Sequence, residues 1–200
     1  MDSPTAWNTN DERNLIRLMS DRLIVNYTGL GGVENCAAIR TNYPIPEQCG
    51  LFYFEVDIID RGENGVVGIG FCTQSANLNK LPGWEDSSWG YYGDDGKKFF
   101  NDAIGESYGP KFMNGDSIGC CLNFRNNPVF YTRNGVNIGI VFRGFKKALY
   151  PCIGMMSPGG SIRAKFGYRK FKYTEEYEQA LAVLIKLLEI EAHNTFTLRY

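Results

Sequence analysis

Residues 114–135, NGDSIGCCLNFRNNPVFYTRNG, leave the chain little choice but β-structure. Asn114-Gly115 signals a turn, after which Ile118, Cys120 and Leu122 alternate with Ser117, Gly119, Cys121 and Asn123. Asn126-Asn127-Pro128 interrupts that run, and Val129–Thr132 starts a second one. Asn134-Gly135 closes it with the dipeptide suited to a type I′ turn, since both residues tolerate positive φ. Two strands cannot bury an apolar face by themselves, so a second sheet has to cover them.

The rest of the chain supplies that sheet. Leu23–Tyr27 and Ala37–Arg40 are short strand-like runs. In Leu51–Ile59, Phe52, Phe54, Val56 and Ile58 share one face while Tyr53, Glu55 and Asp57 share the other. Asn64-Gly65 predicts a hairpin joining that strand to Val66–Cys72. Further runs lie at Trp89–Tyr92, Lys97–Phe100, Ile138–Phe142, Leu149–Met155 and Ser161–Phe166. Strands so short and so regularly spaced predict an all-β, two-sheet antiparallel sandwich. Residues 1–20 are polar apart from Trp7, Leu15, Ile16 and Leu18 and read as a strap across the domain surface. From 173 the period changes: Thr174 is a candidate N-cap, and Tyr177, Leu181, Leu184, Ile185 and Leu188 predict a C-terminal α-helix.

Composition excludes several function classes. With 21 basic and 22 acidic side chains, the formal net charge of −1 offers no field for nucleic acid or an anionic membrane. Cysteines at 36, 49, 72, 120, 121 and 152 lack metal-site spacing, and Cys120 and Cys121 face opposite sides of a strand. They read as reduced small hydrophobes, and with no apolar signal-peptide core in MDSPTAWNTNDERN the expected location is cytoplasmic or nuclear. The single histidine, His193, has no positioned partner. Glu85, Asp86, Asp94 and Asp95 match no calcium loop and read as solvated turn acids, and Gly68-Ile69-Gly70 lacks the third glycine of a dinucleotide fingerprint. Neither an enzyme, a cofactor nor a metal is expected.

What remains is binding. Gln74–Ser88 is a long loop with no strand or helix period, and its Leu78, Leu81 and Trp84 either meet a partner or tuck inward. Thr28–Val33, Asn77–Trp84 and Met156–Gly160 are the turns that a binding face at one end of a sandwich would use. Trp84, Tyr91 and Tyr92 with their neighbouring acids also admit a carbohydrate-binding sandwich. A third reading makes the C-terminal helix an oligomerising element and the sandwich a spacer.

The order of motifs is itself informative. LIVNYTG, YPIPEQCGLFYFEVDIIDRGENGVVGIGF, NLNKLPGWEDSSWGYYGDDGKKF, YGPKFMNGDSIGCCLNF, FYTRNGVNIGIVF and LYPCIGMMSPGGSIRAKFG together resemble a SPRY (B30.2-like) domain, most closely that of the Ran-binding protein 9/10 family. The resemblance covers Trp7 to Phe171 and implies a bent, jelly-roll-like β-sandwich over residues 21–172. An extension, 1–20, would pack on it, and 173–200 would form a helix and tail. It also implies a non-catalytic protein-interaction module, used by scaffold subunits of the CTLH (GID) E3 ubiquitin ligase to recruit partners. Related SPRY domains hold short extended peptides in a shallow loop pocket. By chain order the matching positions are Tyr27, Gly29 and Leu30, then Leu78, Leu81 and Trp84, then Met156, Ser157 and Pro158. Tyr27 and Leu78 would form pocket walls, and main chain around Ser157 would bind peptide amides. Leu78 and Ser157 stand where the SPRY domains that take Asn-rich peptides carry tyrosine and tryptophan.

Overall fold

The computed structural model describes residues 2–12, 14–124, 128–145 and 148–173. Among them the alternating runs form strands β1 (Ile16–Leu18), β2 (Ile24–Tyr27), β3 (Ala37–Arg40), β4 (Leu51–Asp60), β5 (Val67–Cys72), β6 (Ser88–Tyr92) and β7 (Lys97–Phe99). They continue with β8 (Glu106–Ser107), β9 (Ser117–Asn123), β10 (Val129–Arg133), β11 (Val136–Phe142), β12 (Tyr150–Met155) and β13 (Ser161–Lys165). One sheet runs β1-β2-β13-β4-β9-β10-β11 and the other β3-β12-β5-β6-β7-β8. Every pairing is antiparallel, and the sheets stack as a sandwich.

The core lies where the two inner faces meet. Phe54, Val56 and Ile58 of β4 and Ile118, Cys120 and Leu122 of β9 face Ile69 and Phe71 of β5, Tyr91 of β6 and Ile153 of β12. The rings of Phe54 and Phe71 meet across the gap at 5.8 Å in an edge-to-face arrangement. Such a pair contributes about 1 kcal/mol beyond its buried area. Asn134 and Gly135 both have positive φ, 53° and 85°, as the expected type I′ turn between β10 and β11 requires.

One expected pairing is corrected. β4 and β5 are not a hairpin: β4 lies between β13 and β9, whereas β5 lies between β12 and β6. Each strand carries a wholly apolar inward stripe. Side by side in one sheet, both stripes would still need covering; on opposite sheets each covers the other. Asn64-Gly65 therefore carries the chain over the rim of the sandwich.

The strap spans both sheets. Trp7 is fully buried, its indole N–H donates to the carbonyl of Leu23 at 3.1 Å beside the first sheet, and its main chain bridges Thr41 beside the second. Asp11 pairs with Arg40 Nε at 3.0 Å. Cys120 points into the core, while Cys121 lies on the outer face under Tyr53 and Tyr173. All six cysteines are free thiols, and Cys49 alone is exposed. The helix expected from Thr174 onward lies outside the described residues.

Candidate loop-end binding site

At the end of the sandwich where β2 and β12 end and β3 begins, the loops are bound to one another. Tyr27 closes β2 with its N–H donating to the carbonyl of Gly160 at 2.8 Å. Its side chain folds under the following loop, where the hydroxyl donates to the carbonyl of Asn35 and accepts from Gly31 N at 3.3 Å. A Cβ on Gly29 would collide with that hydroxyl, so glycine is required there. Asn35 Nδ2 then donates to Gly31 O at 2.9 Å, closing the loop on itself.

Gly31 packs against Pro158, whose ring would sit 3.1 Å from a Cβ at that position. Ser157 is buried, and its Oγ accepts from Asn64 N at 2.9 Å and Gly65 N at 3.0 Å. Glu63 N donates to Pro158 O at 3.0 Å. Residues 28–35, 61–65 and 156–160 thus form one braced unit.

The long loop joins from the side. Leu78 O accepts from Ala38 N at 2.8 Å, and the Cys36 thiol lies 3.0 Å from Asn79 O. Leu81 is buried in a cluster with Cys36, Val66, Tyr92 and Phe99, with Trp84 and Met156 packed along its margin. Lys80 and Glu85 form an ion pair at 2.9 Å. Three loops far apart in sequence therefore do share an end.

Their side chains divide into two groups. Tyr27, Leu78, Leu81 and Ser157 are buried and hold the platform, so the two expected pocket walls, Tyr27 and Leu78, face inward. Leu30 is 91% exposed and Val33 63% exposed. Trp84, Met156 and Pro158 are half-buried, as is Gly29. Val33 is expected from the sequence only as the end of the Thr28–Val33 turn, and Asn35 and the 61–65 loop are not expected there at all. The signal for the last was present in Asn64-Gly65, whose chemistry marks a turn without saying what that turn touches.

The chemistry here is that of contact. Burial pushes the Tyr27 phenol and the Cys36 thiol above their ordinary pKa values, so both are neutral at neutral pH. Among the described residues no group of three His, Cys, Asp or Glu side chains is placed to hold a metal, and no helix is long and apolar enough to cross a membrane. Tyr91 and Tyr92 are buried with their hydroxyls donating to the carbonyls of Pro110 and Pro82, which removes them from any sugar-stacking surface.

Comparison with known proteins identifies the architecture. The SPRY domain profile matches residues 51–169. The chain belongs to the SPRY domain family. This SPRY chain is 48% identical over 171 residues to the Ran-binding proteins 9/10 homolog of Drosophila melanogaster, a match covering 85% of this chain and 18% of that protein. It is 44% identical over 174 residues to Ran-binding protein 9 of Xenopus laevis, covering 86% of this chain and 32% of the relative. The chain thus spans less than a third of the length of either relative. A crystal structure of a human SPRY domain superposes with a TM-score of 0.68 at 28% identity, covering 78% of this chain and 98% of that one. SPRY domains are in general protein-interaction modules without catalytic activity.

Proposed function

We propose that this SPRY domain binds a short extended segment of a partner protein at the loop end, as the recruiting surface of a CTLH-type ubiquitin-ligase scaffold. The observation that carries the binding role is the contrast within the loop end. Leu30 and Val33 project into solvent from a loop whose main chain is braced at Tyr27, Asn35 and Pro158. Apolar side chains on a preorganised loop lose little entropy on binding, which is how a shallow site gains affinity. A few such anchors give a Kd of about micromolar, and the apparent Kd falls when several modules act together. The ligase role rests on the resemblance to Ran-binding proteins 9/10.

A peptide-display screen against the chain, run beside a Leu30→Asp/Val33→Asp variant, tests the placement. Enrichment of a short motif that the variant no longer selects is the expected result. Equal enrichment by both chains would move the binding role elsewhere on the sandwich. The ligase role is tested by attaching the selected motif to a reporter and measuring its ubiquitination by a CTLH assembly whose scaffold carries this domain, with and without the same substitutions.

A further inference from the structure

The four segments gathered at the loop end, 28–35, 61–65, 77–86 and 156–160, hold four acidic residues, Glu34, Glu63, Glu85 and Asp86, against two basic ones, Arg61 and Lys80. Both cations are engaged locally. Lys80 pairs with Glu85 at 2.9 Å. Arg61 lies back along its own loop: its guanidinium reaches Met113 Sδ at 3.5 Å and would sit 3.6 Å from a Cβ on Gly65. Glu34, Glu63 and Asp86 are exposed and, among the described residues, take part in no ion pair.

These carboxylates flank the apolar contact surface. Glu34 follows the exposed Val33 in the short 3-10 turn Val33–Asn35. Glu63 stands on the other side of Pro158: its N–H donates to Pro158 O at 3.0 Å, while the Pro158 ring packs on Gly31, next to Leu30. Asp86 lies two residues beyond Trp84, which packs with Met156 along the cluster of the buried Leu81. The bracing of the loops holds acids and aliphatic side chains in one fixed relation. A segment laid across Leu30 and Val33 therefore meets the same sign of charge on both sides. An acidic segment would be repelled there, and an uncharged one would leave the rim unmatched.

We infer that the segment bound here is cationic as well as apolar, with aliphatic or aromatic residues set between lysine or arginine side chains. The inference rests on the binding role proposed for the loop end and adds what that surface selects. Leu30 and Val33 supply the contact. The rim supplies selection and speed of encounter, because exposed charges act mainly on the association rate and against partners of the wrong sign. Each exposed carboxylate contributes about two- to fivefold in affinity, the scale of a solvated ion pair, and salt screens that contribution.

A display screen of a random peptide library against the full chain, followed by affinity measurements on the selected peptides, tests this. Two variants accompany the parent. Leu30→Ser/Val33→Ser removes the apolar contact without altering charge, and Glu34→Gln/Glu63→Gln/Asp86→Asn removes the rim charge. All five positions are exposed, so both variants should keep the parent melting temperature. The expected result is a set of apolar motifs with lysine or arginine neighbours, which the serine variant no longer binds. The neutralised rim should bind them about tenfold more weakly in about 50 mM salt and nearly as well as the parent in about 500 mM. Motifs that need Leu30 and Val33 but carry no basic excess overturn the cationic selection and leave the loop-end role standing. So do motifs that the neutralised rim binds as tightly as the parent at low salt. Finding no motif, or motifs that the serine variant binds undiminished, overturns the loop-end role and the cationic selection with it.

Discussion

The main-chain N–H of Lys172 donates to Glu55 Oε1 at 2.7 Å, fastening the end of the described chain to the outer face of the seven-stranded sheet. The same oxygen takes Tyr53 Oη at 2.9 Å and Tyr173 N at 3.1 Å; the other takes Ser117 Oγ at 3.2 Å and Lys165 Nζ at 3.3 Å. Glu55 is buried, so its charge has to be matched by these donors. Glu55→Ala leaves the N–H groups of Lys172 and Tyr173 without their acceptor, while Lys165 keeps Asp57 at 2.7 Å. The loss should be about 2–4 kcal/mol, since each buried donor left unsatisfied costs about 1–3 kcal/mol. Urea denaturation measures the loss. A change below about 1 kcal/mol, the scale of an exposed pair, would mean that water reaches this network.

Asp116 makes stability depend on pH. Burial pushes its pKa up, but Asn134, the N–H of Met113 and Arg133 outweigh that and hold it below the ordinary 3.8. Arg133 Nε and Met113 N reach Oδ2 at 2.9 and 2.7 Å, and Asn134 Nδ2 reaches Oδ1 at 2.7 Å. A carboxyl whose folded pKa lies below its unfolded one binds protons more readily when unfolded. Its stabilisation is complete above the unfolded value and disappears as pH falls through the folded one. Denaturation midpoints should therefore fall as pH drops from about 5 towards about 2. Asp116→Asn should be less stable at neutral pH and show a shallower acid limb; equal slopes would assign the acid sensitivity to other carboxylates.

Ser157 is a brace whose value lies in its lone pairs. Ser157→Ala leaves the N–H groups of Asn64 and Gly65 without their acceptor at the buried rim. The expected cost is about 2 kcal/mol, with faster amide exchange at those two positions. Unchanged exchange there would show that water replaces the hydroxyl.

Leu30 and Leu81 should behave oppositely. Leu81 is buried, and Leu81→Ala should cost about 2–5 kcal/mol by opening a cavity. Leu30→Ala should leave stability within about 0.5 kcal/mol while weakening binding of a selected peptide. Titration calorimetry beside a thermal melt separates the two, and undiminished affinity in Leu30→Ala would remove that residue from the contact surface.

Strand positions are legible in the sequence because the two faces of a strand differ in chemistry even where both are buried. In β4, Phe54, Val56 and Ile58 alternate with Tyr53 and Glu55, and all five are buried. Sheet membership is not legible. Asn64-Gly65 has the local chemistry of a hairpin, and only the partners of β4 and β5 reveal a crossover. Of the site, the three loops are legible as loops. The direction of Tyr27 and Leu78 is not, since it depends on Asn35, Gly31 and Ala38 being near them in space. The Glu55 anchor gives no signal either, because its donors lie up to 118 positions away.

The strap also decides what counts as an independently folding piece. The family profile begins at residue 51, yet β1, β2 and β3 all precede it, and Trp7 is wedged between the two layers. A protein cut to 51–169 would lose β3 from beside β12 and β2 from beside β13, turn both strands into open edges, and give up the indole that fills the seam. For expression or transplantation into another protein, the smallest faithful unit begins at Thr5, where the main chain first bonds Asn42, and reaches Tyr173.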